Sequence, residues 1–474
     1  HVDAKDLRVE ALSLDLSGTG AIDLGVEDAA DSPLLLEFAF RDLAVRHQED
    51  DAPMLEGDAL LLGLSGSRKL DLAEGQFDFD RTITVDIATL AVPDLARFQR
   101  FVPEKWPFRF MGGEGRLGGR ARLGPNALSV DLELASDHAN VGVNAYRFDT
   151  NLEGTLRLEN PDIRNQPTRF SGTGLRLTES RLQRDAGAVT APWEASIEIG
   201  EGQLSLVAPA EKEAGANAFD LLRLLGQKDA RALLEGSSGE LDFQAAVSSL
   251  AFLDVLLPPE EPAKVRGEGQ VEGRVMLSQG LPDVGTRVNI RSESLGVTVL
   301  DYLARGDGQV DLTVEEGGAF PDWRLAVRLE DGTMNRQGDG ARGVEAVQLL
   351  LDVVVKDVSF ESEPREFDLW FRIPSAIVPD MGLFNGYLPT DAPLSFTRGT
   401  ADLVLDLRLT PDDAQGFVRL FGEGIDVALD GQEVRTDLVA NLLVVGGQPL
   451  DMVFDLAGST VAVENVLVQG TEQA

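Results

Sequence analysis

The chain has 474 residues, 43% of them apolar, and no cysteine, which excludes disulfides, thiol catalysis and cysteine-ligated metals. That length allows several domains or one extended one, and the apolar share supports a large core and argues against disorder. Forty-two basic against 80 acidic side chains leave a net charge of −38, which repels nucleic acid and anionic membrane faces at long range.

In chain order, DLRVEALSLDLSG near the amino terminus is already in full apolar–polar alternation. The first residue is His1, no leader motif precedes the pattern, and no run of 18 apolar residues could span a bilayer. The sequence therefore reads as a segment of a longer protein, with any anchor outside it. VPDLARFQRFV (Val92–Val102) predicts a first short helix. LSVDLELA places Leu128, Val130, Leu132 and Leu134 on one face of a strand, and TLRLEN does the same with Leu156 and Leu158. ASIEIGEGQLSLVAP gives Ile197 and Ile199, a glycine turn, then Leu204 and Leu206. Asn217–Gly236 carries apolar residues at helical spacing and predicts the longest helix; Ser248–Leu257 predicts another. Alternation resumes at Val310, Leu312 and Val314, and again at Leu325, Val327 and Leu329. A last short helix, Val378–Leu388, precedes Leu403, Leu405, Leu407 and Leu409. Turn residues at spacings of about 8 to 12 predict roughly 25 strands with one dry face and one wet face.

One pattern occurs three times. An apolar helical turn meets a proline (Pro103, Pro258, Pro389), and a second proline follows at Pro107, Pro262 and Pro393. A short alternating run then reaches a glycine (Gly113, Gly267, Gly399) and opens into a long strand. The first proline ends the helix by pushing the preceding residue out of the α region. The second begins an extended segment without needing an amide hydrogen, and the glycine lets the chain bend into the sheet. Helix-to-sheet re-entry modules are therefore expected near 92–123, 217–277 and 378–409. The first prolines are 155 and 131 residues apart, so the modules are large and are not tight solenoid repeats.

Signals for chemistry are sparse. Histidine occurs only at His1, His47 and His138, the latter two in polar turns, which speaks against a metal centre or a Ser-His-Asp triad. GEGRLGG and GEGQVEG lead into strands, unlike phosphate loops, which open a helix. EDGTMNRQGDG (Glu330–Gly340) lacks the terminal glutamate of a calcium loop. No catalytic residues, metal or cofactor are assigned, and an enzyme is not expected. KWPFRFMGG, with Trp106, Phe108 and Phe110, is the most aromatic patch and reads as a helix–sheet junction.

Acidic alternating strands, short helices ending in Leu-Pro and the glycine-bounded re-entry resemble the AsmA-like superfamily, which includes AsmA, TamB, YhdP and YdbH. That superfamily is related to the bridge-like lipid transfer proteins. The resemblance implies a mainly β fold: one elongated, strongly curved, antiparallel-rich sheet spanning 1–474, with a few short helices and an open groove. It implies a periplasmic conduit in a diderm bacterium, anchored in the inner membrane outside this segment and carrying phospholipid to the outer membrane. Its partners would be phospholipid and membrane proteins at the ends of the full-length chain, with no nucleic acid. The absence of cysteine fits that oxidising compartment. The alternating residues named above, from Leu128 to Leu409, would line the groove. Two other readings compete: an extended structural or adhesive β-rod binding proteins or glycans, and a polysaccharide-acting enzyme. An open apolar face favours the conduit and a closed one the rod.

Overall fold

The computed structural model describes residues 2–11, 14–26, 34–48, 50–66, 81–102, 108–124, 126–143, 146–163, 165–184, 189–205, 236–255, 263–299, 302–317, 321–336, 343–356, 367–387, 394–429, 432–451 and 453–468. Leu206, Trp106, nearly all of the helix expected at 217–236 and the six prolines of the repeated pattern lie outside the described residues. The fold is mainly β. Among the described residues, 27 of the 29 strands belong to one antiparallel sheet, close to the number expected from turn spacing.

The chain divides into two compact units. Unit 1 holds His1–Val247 and Glu272–Thr286; unit 2 holds Ser248–Val271 and Arg287–Ala474. The first strands are β1 (Val2–Ala11), β2 (Leu14–Val26), β3 (Leu34–His47), β4 (Leu55–Gly57), β5 (Leu60–Gly66), β6 (Arg81–Val92), β7 (Phe108–Gly112) and β8 (Gly115–Leu123). They are followed by β9 (Leu128–Val143), β10 (Tyr146–Asn160), β11 (Thr168–Arg169), β12 (Thr173–Arg184), β13 (Trp193–Ser205) and β14 (Ser238–Val247). Next come β15 (Ala263–Arg266), β16 (Gly269–Ser278) and β17 (Leu281–Pro282). Unit 2 continues with β18 (Arg287–Val299), β19 (Tyr302–Glu316), β20 (Asp322–Arg336), β21 (Val344–Val355) and β22 (Phe367–Val378). It ends with β23 (Leu394–Arg398), β24 (Ala401–Leu409), β25 (Ala414–Leu429), β26 (Gln432–Val444), β27 (Gly446–Gln448), β28 (Val453–Asp455) and β29 (Thr460–Val468).

The three re-entry modules share one geometry. Their helices are short 3₁₀ helices at Leu95–Phe101, Leu250–Val255 and Met381–Tyr387, narrower than the sequence suggests; Val92 and Val378 still belong to strands. In each, the first helical amide donates to the carbonyl of the re-entry glycine. Leu95 N–H reaches Gly113 O at 2.7 Å, Leu250 N–H reaches Gly267 O at 2.7 Å and Met381 N–H reaches Gly399 O at 2.9 Å. A capping oxygen from Asp94, Ser249 or Asp380 accepts the amide two residues on. The glycines sit at φ +116°, +127° and +134°, and a Cβ on Gly113 would lie 2.4 Å from His138 O. Only glycine fits. Topology repeats as well: β6 pairs β8 while β7 pairs β9, and β22 pairs β24 while β23 pairs β25. Unit 1 holds a further copy with a turn instead of a helix, where β3 pairs β5 and β4 pairs β6. The loop after β3 and the helix after β6 follow strands of the same direction, because only β5 intervenes between them.

From these breaks, β-bulges pass from strand to strand. In unit 1 register shifts fall at Ser17/Thr19, Ile87/Leu90, Thr150/Leu152 and Leu177/Ser180. In unit 2 they fall at Ser292/Leu295, Arg305/Asp307, Leu329/Gly332, Ile373/Ala376 and Gly422/Ile425. A break in one strand leaves its neighbour out of step, and the neighbour recovers register with a bulge of its own, bending there. Asp42, Glu179, Asp331 and Asn465 occupy left-handed conformations within these bulges. Hydroxyls serve the displaced backbone: Ser136 Oγ donates to Glu114 O at 2.6 Å and Thr436 Oγ1 to Glu464 O at 2.7 Å. The buried Thr150 and Ser180 hydroxyls pair at 2.6 Å.

Candidate functional site

Antiparallel partners share a sheet face, so the register traces rows of side chains across the strands. In unit 1 one row runs Ile22–Phe38–Leu62–Val85–Ala121–Val130–Leu158 through seven strands. At about 4.8 Å per strand it extends roughly 29 Å. Each of its side chains is half-buried. A neighbouring row, Leu117–Leu134–Gly154–Leu175–Ile197–Ala245, is half-buried too. Full burial in unit 1 concentrates beside the breaks. Val92, Leu95, Ala139 and Leu152 form one cluster, against which Phe98, Phe110 and Leu134 pack. Phe40, Leu43, Val45, Leu60 and Leu90 form another. The aromatic junction expected from KWPFRFMGG is therefore partly visible: Phe110 packs on the first 3₁₀ helix cluster, and its amide donates to Gln99 Oε1 at 2.7 Å.

On the corresponding face of unit 2 one row is closed to solvent, whereas Leu405, Val418 and Leu442 beside it are half-buried. The closed row, Ile290–Val310–Val327–Leu351–Phe371–Leu407, has no member more than 7% exposed. Glycine hollows lie on the apolar face of both units. In unit 2 a Cβ on Gly308 would meet Leu295 Cδ2 at 2.4 Å, and one on Gly332 would meet Leu329 Cδ2 at 2.1 Å; neighbouring leucines fill both hollows. In unit 1 the nearest atom to a Cβ on Gly154 is Leu175 Cδ1, at 3.8 Å, and at Gly119 it is backbone. At Gly57 and Gly202 of the same unit, Leu90 Cδ2 and Leu241 Cδ2 would lie 2.7 and 2.5 Å from such a Cβ, so filled hollows occur in both units.

The opposite face is charged and paired. Arg324 Nε donates to Asp352 at 2.9 Å, Arg408 Nε to Asp368 at 2.8 Å and Arg274 Nε to Asp242 at 2.6 Å, each between strands. The Arg408 hydrogen bond holds the Asp368 carboxyl below the ordinary carboxylate range. Asn465 and the Gly424 amide do the same for Asp437. These contacts fix strand register and offer no acid–base pair poised for chemistry.

The expected lining residues fall on the predicted face but at two depths. Leu128, Val130, Leu132, Leu134, Leu158, Ile197 and Ile199 are half-buried, Leu156 is exposed and Leu204 is buried. Val310, Leu312, Val314, Leu325, Val327, Leu329, Leu403, Leu407 and Leu409 are buried, and Leu405 is half-buried. Ile22, Phe38, Leu62, Val85 and Leu175 complete the unit 1 rows without having been picked out. LLLEFAF and ALLLGL hide their period behind the outward Leu35 and Leu61, whereas RTITVDI and GTGLRL carry it openly. Among the described residues no helix is long and apolar enough to cross a membrane, and no three histidine or carboxylate side chains converge as metal ligands. Searches found no matching family model, curated protein or solved structure.

Proposed function

We propose that this chain is a non-enzymatic carrier of phospholipid, whose acyl chains lie on the apolar face of unit 1 while the head groups stay in water. The observation that supports this most directly is the pair of half-exposed apolar rows in unit 1, continuous from Ile22 to Leu158 and from Leu117 to Ala245. Each methylene covered there gains about 0.8 kcal/mol, and a lining of repeated Leu, Val and Ile treats every point of the path alike. Tails can therefore slide along it. A uniform face imposes no direction, so any drive comes from outside it. If the sequence resemblance to AsmA-like proteins holds, the work would lie in the envelope of a diderm bacterium, between inner- and outer-membrane proteins that meet the ends of the full-length chain.

A specific observation favours a second reading, a structural β-rod: the row from Ile290 to Leu407 in unit 2 is closed and offers no surface to a tail. The test is lipid extraction and mass spectrometry of the purified chain, with a photoreactive residue at Val130, Leu158 or Val327. Acyl adducts at the first two positions, few at Val327 and none at the outward Asp131 are expected. No co-purified lipid and no adducts at Val130 or Leu158 leave the rod.

A further inference from the structure

The charged face of unit 2 carries an apolar stripe. Register aligns Ile377, Asp402, Phe421, Val439 and Ala462 across five strands, the exposed carboxylate of Asp402 separating Ile377 from the apolar run Phe421–Val439–Ala462. Ile377 is 44% exposed, Phe421 46% and Val439 38%. In unit 1, by contrast, the outward row Asp86–Arg120–Asp131–Arg157 is wholly charged and joined by ion pairs. Beside the unit 2 stripe, two residues further along the same strands, stand Glu423, Asp437 and Glu464. Asp437 is held in its ionised form by Asn465 and the Gly424 amide. Arg419, on the stripe's other side, is engaged by Asn441 and stacked over Phe417 at 4.4 Å.

We infer that this stripe docks an amphipathic helix of a partner protein, with Lys or Arg along one flank of its apolar face. Exposed apolar rows rimmed by charge mark interaction sites, and a central aromatic such as Phe421 makes an anchor. The stripe runs across the strands, repeating at about 4.8 Å. That is close to the roughly 5.4 Å pitch of an α-helix, so successive turns of a helix laid along it meet successive strands. Five strands give about 19 Å, or some 13 helical residues. The acidic rank selects a basic flank and repels an anionic bilayer, so a protein helix fits better than a membrane.

The probe is a synthetic 14-residue peptide with leucines at i, i+4 spacing and lysines along one flank, followed by fluorescence anisotropy. Its controls are the same peptide with glutamates for the lysines, and phosphatidylglycerol vesicles. The lysine peptide should bind the full chain. Affinity should fall roughly tenfold or more in F421K/V439K, and also in E423Q/E464Q, which keeps the apolar stripe intact. Both pairs lie outward, and circular dichroism confirms folding. Equal binding of the two peptides overturns the inference, as does retention of affinity in both variants. Vesicle binding that is lost in the same variants also overturns it, in favour of a lipid surface.

Discussion

The two units are built from one plan and finished differently. Both use the amide-to-glycine closure of a 3₁₀ helix, both pass bulges from strand to strand, and both put apolar rows on one face. Leu295 and Leu329 reach into the hollows at Gly308 and Gly332 in unit 2, as Leu90, Leu241 and Phe243 do at Gly57, Gly202 and Gly273 in unit 1. Unit 1 leaves Gly119 and Gly154 without such neighbours, and its rows keep contact with water. The difference teaches that alternation decides which side a residue faces, while the packing around it decides how deeply it is buried.

Matched substitutions break or sharpen the contrast. The largest effect is expected from Leu→Ala at equivalent rows. L329A should cost unit 2 about 2–5 kcal/mol, because it empties a sealed core. L132A should cost unit 1 only about 1 kcal/mol, since the side chain is half-buried. Urea unfolding followed through Trp323 and Trp193 separates the two. Next are the glycines, where the sign should reverse. G308A meets Leu295 Cδ2 at 2.4 Å and Arg328 O at 2.6 Å and should destabilise by about 1–3 kcal/mol. G154A has ordinary clearance and should stabilise by about 0.4–1 kcal/mol, read as a shift in urea midpoint.

Re-entry should be more fragile in unit 2 than in unit 1. Asn385 binds both backbone groups of Phe396, at 2.8 and 2.7 Å, whereas among the described residues Gln99 accepts the Phe110 amide alone. N385A is expected to cost about 1–3 kcal/mol and Q99A about 1 kcal/mol, with faster hydrogen exchange confined to β23 and β7 respectively. The smallest effect concerns the outward Arg408–Asp368 pair, which solvent screens in its exposed setting. Because the folded-state pKa of Asp368 is depressed, its contribution is complete above the ordinary value of 3.8 and fades as pH falls through the folded value. R408Q should abolish that acid-limb loss in urea titrations between neutral pH and pH 2, with no change in unit 1.

Much of the fold was legible in the sequence. Strand alternation and the glycines of the three re-entry modules report local chemistry, and local chemistry suffices for them. The turn-type copy at 48–60 was missed, although Pro53 and Gly57 mark it, because it lacks the helical turn and second proline. The bulges were illegible for a deeper reason. Asp42 and Glu179 take left-handed conformations with no adjacent glycine to announce them, since a bulge answers the neighbouring strand's register and not its own sequence. Depth of burial was equally hidden. Val130 and Val327 sit in the same kind of alternating run, and only the packing around them divides the half-wet from the dry.

The direction shared by the strands that precede the loop at 48–54 and the helix at Leu95–Phe101 constrains how such a chain could lengthen. Adding a single strand between two re-entry points would send the next helix to the opposite margin of the sheet. Growth must therefore come in hairpins, two strands at a time, and relatives of different length should differ by even numbers of strands between their breaks.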